Sequence, residues 1–213
     1  MINANRPMMF FDTETAGLLP SHPIIQLGAL AIKNGKPERE FEVKFRFDPH
    51  VADHKALAMN NYSKEDWAHA VNLAEGAKRF AQFLRPYISE RKVAESGTIY
   101  HVARLYGYNC AAFDMPRVAK IYEDTRDTDN IFLPADFRTR DVMQLVIWYY
   151  EFLGKPLPNS IKLDEICDEY NLGKEYKSHD ALGDCYRTWE VYKFFMQKFH
   201  EDLRVQFPWS FQW

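Results

Sequence analysis

Residues 8–15 read Met-Met-Phe-Phe-Asp-Thr-Glu-Thr, four large apolar side chains and then two acids spaced two apart. Side chains along a strand alternate between its faces, so as a strand this stretch puts Asp12 and Glu14 on one side. The apolar run ahead of them suits a strand buried on both faces. Two carboxylates on one face at the end of such a strand repel each other and resist ionisation unless a cation sits between them. A metal is therefore expected. The competing reading is a strand that simply reaches solvent and turns polar before Gly17.

The whole chain, 213 residues, has the length for one large domain or two small ones. A formal charge of -3 gives no support to a strongly basic nucleic-acid binder and does not exclude one. Acids committed to metals would reverse that balance locally. No apolar run reaches membrane-spanning length, and the run after Arg6 stops at Asp12, too short for a signal peptide. Cys110, Cys167 and Cys185 are odd in number and far apart, so they read as free thiols of a reducing compartment, hence cytoplasmic.

Residues 24–32 form a second apolar strand, Asn34-Gly35 a tight turn, and residues 41–47 a third strand that alternates cleanly. Three strands joined by short turns make an antiparallel meander. Ser63-Lys64-Glu65-Asp66 resembles a capping box opening a short helix. Leu73, Ala77, Phe80, Ala81 and Leu84 follow helical spacing up to Pro86. A strand is expected within 98–108 and a helix near Pro116. Residues 124–138 are polar, contain Pro134 and read as loop; helices are expected over 141–152, 163–171 and 180–200. No repeat or linker divides the chain, which predicts one domain over 1–206 and an aromatic tail over 207–213. Strands first, then helices alternating with strands, indicate an α/β protein with one mixed sheet flanked by helices.

Asp184 falls at the edge of the apolar stripe of the last helix, where an acid needs a partner. Favourable charge near the helix start is the plainer explanation, although Asp180 serves that role better. His179, just before this helix, is placed to act as a general base near neutral pH; most single histidines are surface or capping residues. Asp114 leads into a helix before Pro116 and, taken alone, reads better as its cap. Each acid stands at a strand end or helix start, where the elements of an α/β sheet converge on one cleft. Carboxylates without thiols suit Mg²⁺ or Mn²⁺ rather than zinc.

Three motifs, in order, resemble the DEDD exonucleases of the histidine subclass, which include proofreading subunits, RNase T and oligoribonuclease. The first is Phe11-Asp12-Thr13-Glu14-Thr15-Ala16-Gly17-Leu18, followed by the strand Ile24-Ile25-Gln26-Leu27-Gly28-Ala29. The second is Asn109-Cys110-Ala111-Ala112-Phe113-Asp114, and the third His179-Asp180-Ala181-Leu182-Gly183-Asp184. Asp141 also falls where the family often has an Asp opening a helix. Tyr108 stands where many members have His, and the segments 90–108 and 124–138 are longer than usual.

The resemblance implies an RNase H-like fold with a central mixed five-stranded sheet. It implies 3′-to-5′ hydrolysis of single-stranded nucleic acid, DNA slightly favoured over RNA, releasing 5′-mononucleotides. Asp12, Glu14, Asp114 and Asp184 would hold Mg²⁺ or Mn²⁺, two ions per site, with His179 as base. Thr15, Ala16, Gly17 and Leu18 would approach the terminal nucleotide, Leu18 stacking on a base, with Asn109 and Phe113 as further substrate contacts. Arg104, Arg117, Lys174 and Lys177 are candidates for a basic lining. The alternatives are a proofreading subunit acting only with a polymerase, and a catalytically silent binding module. The tail either covers its own domain, or docks a protein partner or stacks its aromatic rings on substrate.

Overall fold

The computed structural model describes residues 6–129 and 131–206. Strand β1, Met8–Thr15, is the centre of the fold. It pairs antiparallel with β2, Ile24–Lys33, which turns through Asn34 and Gly35 (φ 53° and 72°) into antiparallel β3, Lys36–Lys44. After a short 3₁₀ turn at Pro49–Val51 come helices α1, His54–Met59, and α2, Leu73–Leu84. Strands β4, Glu90–Val93, and β5, Ile99–Val102, form a separate hairpin. The chain then enters β6, Leu105–Gly107, which runs parallel to β1. Helix α3, Asp114–Asp129, precedes β7, Arg140–Asp141, and α4, Val142–Phe152. Helices α5, Leu163–Tyr170, and α6, Ala181–Gln206, complete the described chain. The sheet order is β3-β2-β1-β6-β7, five strands, the first three antiparallel.

The alternation in β1 divides the core in two. Met9 and Phe11 pack with residues of α2 and α3 on one face; Met8 and Phe10 pack with α4, α5 and α6 on the other. Phe10 and Phe11 are fully buried, each worth about 1.5–3 kcal/mol relative to exposure. By the same parity Asp12 and Glu14 continue the row of Met8 and Phe10, toward α6. Gly28 lies opposite Asp12 on β2, and a Cβ there would stand 2.4 Å from the backbone of Ala181. The bare backbone at Gly28 is what lets the first turn of α6 settle over the acids.

Several expectations are corrected. Residues 124–129 belong to α3 rather than to a loop, because Val118, Ile121, Tyr122 and Thr125 hold one buried face while Glu123, Asp124 and Arg126 take the other. Tyr122 OH bonds the carbonyl of Ala77 in α2 (2.8 Å), and Thr125 bonds Ile121 O. The strand expected within 98–108 is two, β5 and β6, broken where Ala103 turns aside to pair with Ala135. The segment 63–66 makes a turn closed by Ser63 Oγ accepting from Asp66 N, without a helix. Strand β3 stops at Lys44, and Phe45 bridges instead to Val71. The tail, 207–213, lies outside the described residues. Among the described residues no helix is long and apolar enough to cross a membrane.

Candidate active site

The two acids of β1 meet Asp184, in the first turn of α6. One carboxylate oxygen from each of Asp12, Glu14 and Asp184 lies within 4.8 Å of the others. Burial is the main electrostatic fact of this site. It raises the pKa of Asp12 well above the ordinary range, with the charges of Asp114, Asp184 and Glu14 adding to it. Burial also pushes Glu14 to about 8, reinforced by Asp184 and Asp114. Asp184 is raised by burial too, against the opposing pull of Arg187. An all-oxygen donor set this crowded, with Arg187 paired to Asp184, fits hard divalent cations.

Asp114 sits beside this set and outside it. Strand β6 pairs with β1 only at Met9 and Phe10, so the β1 edge beyond has no neighbouring strand. Oδ1 of Asp114 fills that place, accepting from Thr13 N at 3.1 Å and from Thr13 Oγ1. Burial raises Asp114 to about 7, while those Thr13 hydrogen bonds and Arg117 pull the other way. Its carboxylate therefore turns to β1 rather than capping its own helix.

His179 adopts φ 54°, the left-handed region, and its backbone N–H donates to Asp184 Oδ2 at 3.1 Å. The imidazole is partly exposed, with Nε2 3.6 Å from Asp164 Oδ2. Asp180 caps α6 by accepting from Gly183 N (3.1 Å) and also takes a bond from Gln26 Nε2 (3.1 Å). Asp164 and Arg187, which tie His179 and Asp184 together, went unnoticed in the sequence. For Arg187 a signal existed: it lies three residues after Asp184, one helical turn on. Asp164 gave none, since nothing in the sequence says that α5 approaches His179.

The loop after β1 is held from within. Thr15 Oγ1 donates to Gly17 O (2.8 Å), Asn60 Nδ2 donates to Thr15 O (2.9 Å), and Ala16 exchanges bonds with Pro23 O and Asp53 N. The loop presents Leu18 and Leu19, 82% and 60% exposed. Arg117 stacks on Phe113, 3.7 Å from the ring centre, and donates to the carbonyls of Leu18 (2.9 Å) and Leu19 (3.3 Å). It braces this loop instead of lining a groove with free charge. Asn109 is exposed at φ 55°, and its N–H is held by Asp141 Oδ1 at 2.9 Å. Arg104 is ion-paired to Glu90, and its carbonyl meets Met9 N, at the end of β1 remote from Glu14; it is no part of the lining. Lys174 and Lys177 are exposed in the loop before His179.

The family model of the RNase T exonucleases matches residues 9–192, a span holding every acid described above. The chain belongs to this exonuclease family. Exonuclease I of E. coli in complex with a dT13 oligonucleotide is similar in structure, with TM-score 0.65 and 17% identity over 93% of this chain and 43% of that one. Cell-death related nuclease 4 gives TM-score 0.66 and 16% identity over 92% and 65%. A 3′-exonuclease that recognises the histone mRNA stem-loop gives 0.65 and 14% over 91% and 66%. This chain spans less than half the length of exonuclease I. A comparison with curated protein sequences finds no match. At such identities the structures speak for the fold, and the expected RNase H-like α/β architecture is the one observed.

Proposed function

We propose that the chain is a metal-dependent 3′-to-5′ exonuclease of the histidine subclass. It would act on single-stranded nucleic acid, DNA slightly ahead of RNA, and release 5′-mononucleotides. The observation that carries the reading is the convergence of Asp12, Glu14 and Asp184 within 4.8 Å, half-buried to buried and next to His179. Asp12, Glu14 and Asp184 would hold divalent ions, Mg²⁺ or Mn²⁺, with Asp114 the fourth acid assigned to a two-ion site. When bound, such ions supply positive charge against the phosphate and acidity to water.

The protein's own groups do the rest. His179 accepts the proton of the attacking water as its oxygen bonds phosphorus. The P–O3′ bond breaks, the departing 3′ oxygen gains a proton from solvent, and the phosphate leaves on the 5′ side of the released nucleotide. Leu18, with Thr15, Ala16 and Gly17 behind it, would stack on the terminal base, and Asn109 and Phe113 would border it. Three buried free cysteines agree with a reducing, cytoplasmic setting.

The test is digestion of matched single-stranded DNA, single-stranded RNA and duplex, each labelled at the 5′ or the 3′ end, with Mg²⁺, Mn²⁺ or chelator. Immediate release of 3′ label as mononucleotide, stopped by chelator, is expected. Binding without cleavage under every cation would make the chain a silent module, and release of 5′ label first would reverse the polarity.

A further inference from the structure

Arg187 is a buried guanidinium with two carboxylates on one nitrogen. Its Nη1 donates to Asp184 Oδ1 at 2.9 Å and stands 2.5 Å from Asp164 Oδ1. The second oxygen of Asp164, Oδ2, lies 3.6 Å from His179 Nε2, just beyond hydrogen-bond length. The ring closes through the backbone N–H of His179, which donates to Asp184 Oδ2 at 3.1 Å. Two helices and the loop between them thus meet around one fixed cation. Arg187 has little room to move: Gly173, at φ +58°, brings that loop so close that a Cβ there would lie 3.1 Å from Arg187 Cγ.

We propose that Asp164 is the positioning residue for His179. In this arrangement the ring closes the 3.6 Å gap so that Asp164 accepts the Nε2–H, Nδ1 keeps the lone pair that takes the proton in hydrolysis, and Arg187 fixes Asp164 relative to Asp184. The protonated nitrogen of an imidazole is set by the hydrogen bond the ring makes. Here the backbone of His179 is pinned by Asp184, so the ring's orientation is the freedom left to settle. A carboxylate anchored by one oxygen on a buried arginine can offer the other in a constant direction, which a solvent-held acid cannot. The same arginine ties that direction to Asp184, so base and acid cluster move as a unit. The assignment of a base rests on the exonuclease reading above; the Asp164–His179 pairing, drawn from their 3.6 Å approach, does not.

Imidazole NMR of the full chain tests the bond directly, with the His179 signal identified by its loss in His179→Ala. A slowly exchanging Nε2–H of His179 is expected in the native chain. It should persist in Asp164→Asn, which keeps a carbonyl acceptor, and vanish in Asp164→Ala. In parallel, kcat on single-stranded oligonucleotide should fall about 10- to 100-fold in Asp164→Ala, the usual effect of losing an orienting partner, with KM unchanged. Partial recovery is expected in Asp164→Asn. A native His179 protonated at Nδ1, an Nε2–H indifferent to Asp164→Ala, or an unchanged kcat would each overturn the proposal. A native chain that degrades no nucleic acid would sink the exonuclease reading alone, and the NMR result would still decide the bond.

Discussion

Replacing His179 with alanine removes an imidazole yet leaves the link to Asp184, because that link runs through the backbone N–H. The rate is therefore expected to fall roughly 10²- to 10⁴-fold, as for loss of a general base, with Mg²⁺ affinity by calorimetry nearly unchanged. Loss of metal binding together with activity would instead make His179 a ligand. Asp12→Ala should behave in the opposite way. Activity disappears, while the metal-free protein melts at the same or a higher temperature, because a source of like-charge repulsion with Asp114, Asp184 and Glu14 is gone. Retention of full nuclease activity would remove Asp12 from the assigned set. Asp12 and Glu14 were legible because a period of two in a strand needs no tertiary information. The bonding of Asp114 to Thr13 was not, since it depends on β6 pairing with β1 only at Met9 and Phe10, a fact of register.

Among the elements, β1 and the start of α6 depend on each other through Gly28. A side chain at this position meets backbone rather than a flexible chain end, so Gly28→Val should push α6 away from β2. The expected cost is about 1–3 kcal/mol of stability, with weaker metal binding as Asp184 leaves Asp12 and Glu14. A variant with native melting temperature and native Mg²⁺ affinity would show that α6 does not rest on Gly28. Arg117 is a second joint, holding the Leu18–Leu19 loop against α3. Arg117→Ala should raise KM for oligonucleotides more than it lowers kcat; a pure kcat effect would contradict a bracing role. The strands of the meander were readable from apolar runs and the Asn34-Gly35 turn. The last turns of α3 were hidden because Thr125 and its polar neighbours look like loop until the buried face of Val118, Ile121 and Tyr122 is seen to continue into them.

On the scale of the whole molecule, two packed cores enclose one strand, and the site is where that strand's buried face turns acidic. Layer order and sheet type followed from the succession of apolar strands and amphipathic helices. The β4–β5 hairpin and the break before β6 did not, because both are set by what Ala103 pairs with across the fold. Placing carboxylates in this interior has a consequence for stability. Folding raises Glu14 from 4.5 to about 8 and Asp114 from 3.8 to about 7, with burial the leading cause in each. Between those limits the folded protein binds more protons than the unfolded chain, so its stability declines as pH rises. The benefit of the raised values is complete below about pH 4 and is lost as pH passes through about 7 and 8. For each extra proton held, the slope is about 1.4 kcal/mol per pH unit. Denaturant melts of the metal-free chain should therefore show stability decreasing from about pH 5 to pH 8. Saturating Mg²⁺ should flatten or invert that slope, since the cation binds the ionised acids and favours the folded state. A metal-free chain equally stable across this range would mean that the acids ionise freely in the fold, and that the cluster carries no unmet demand for a cation.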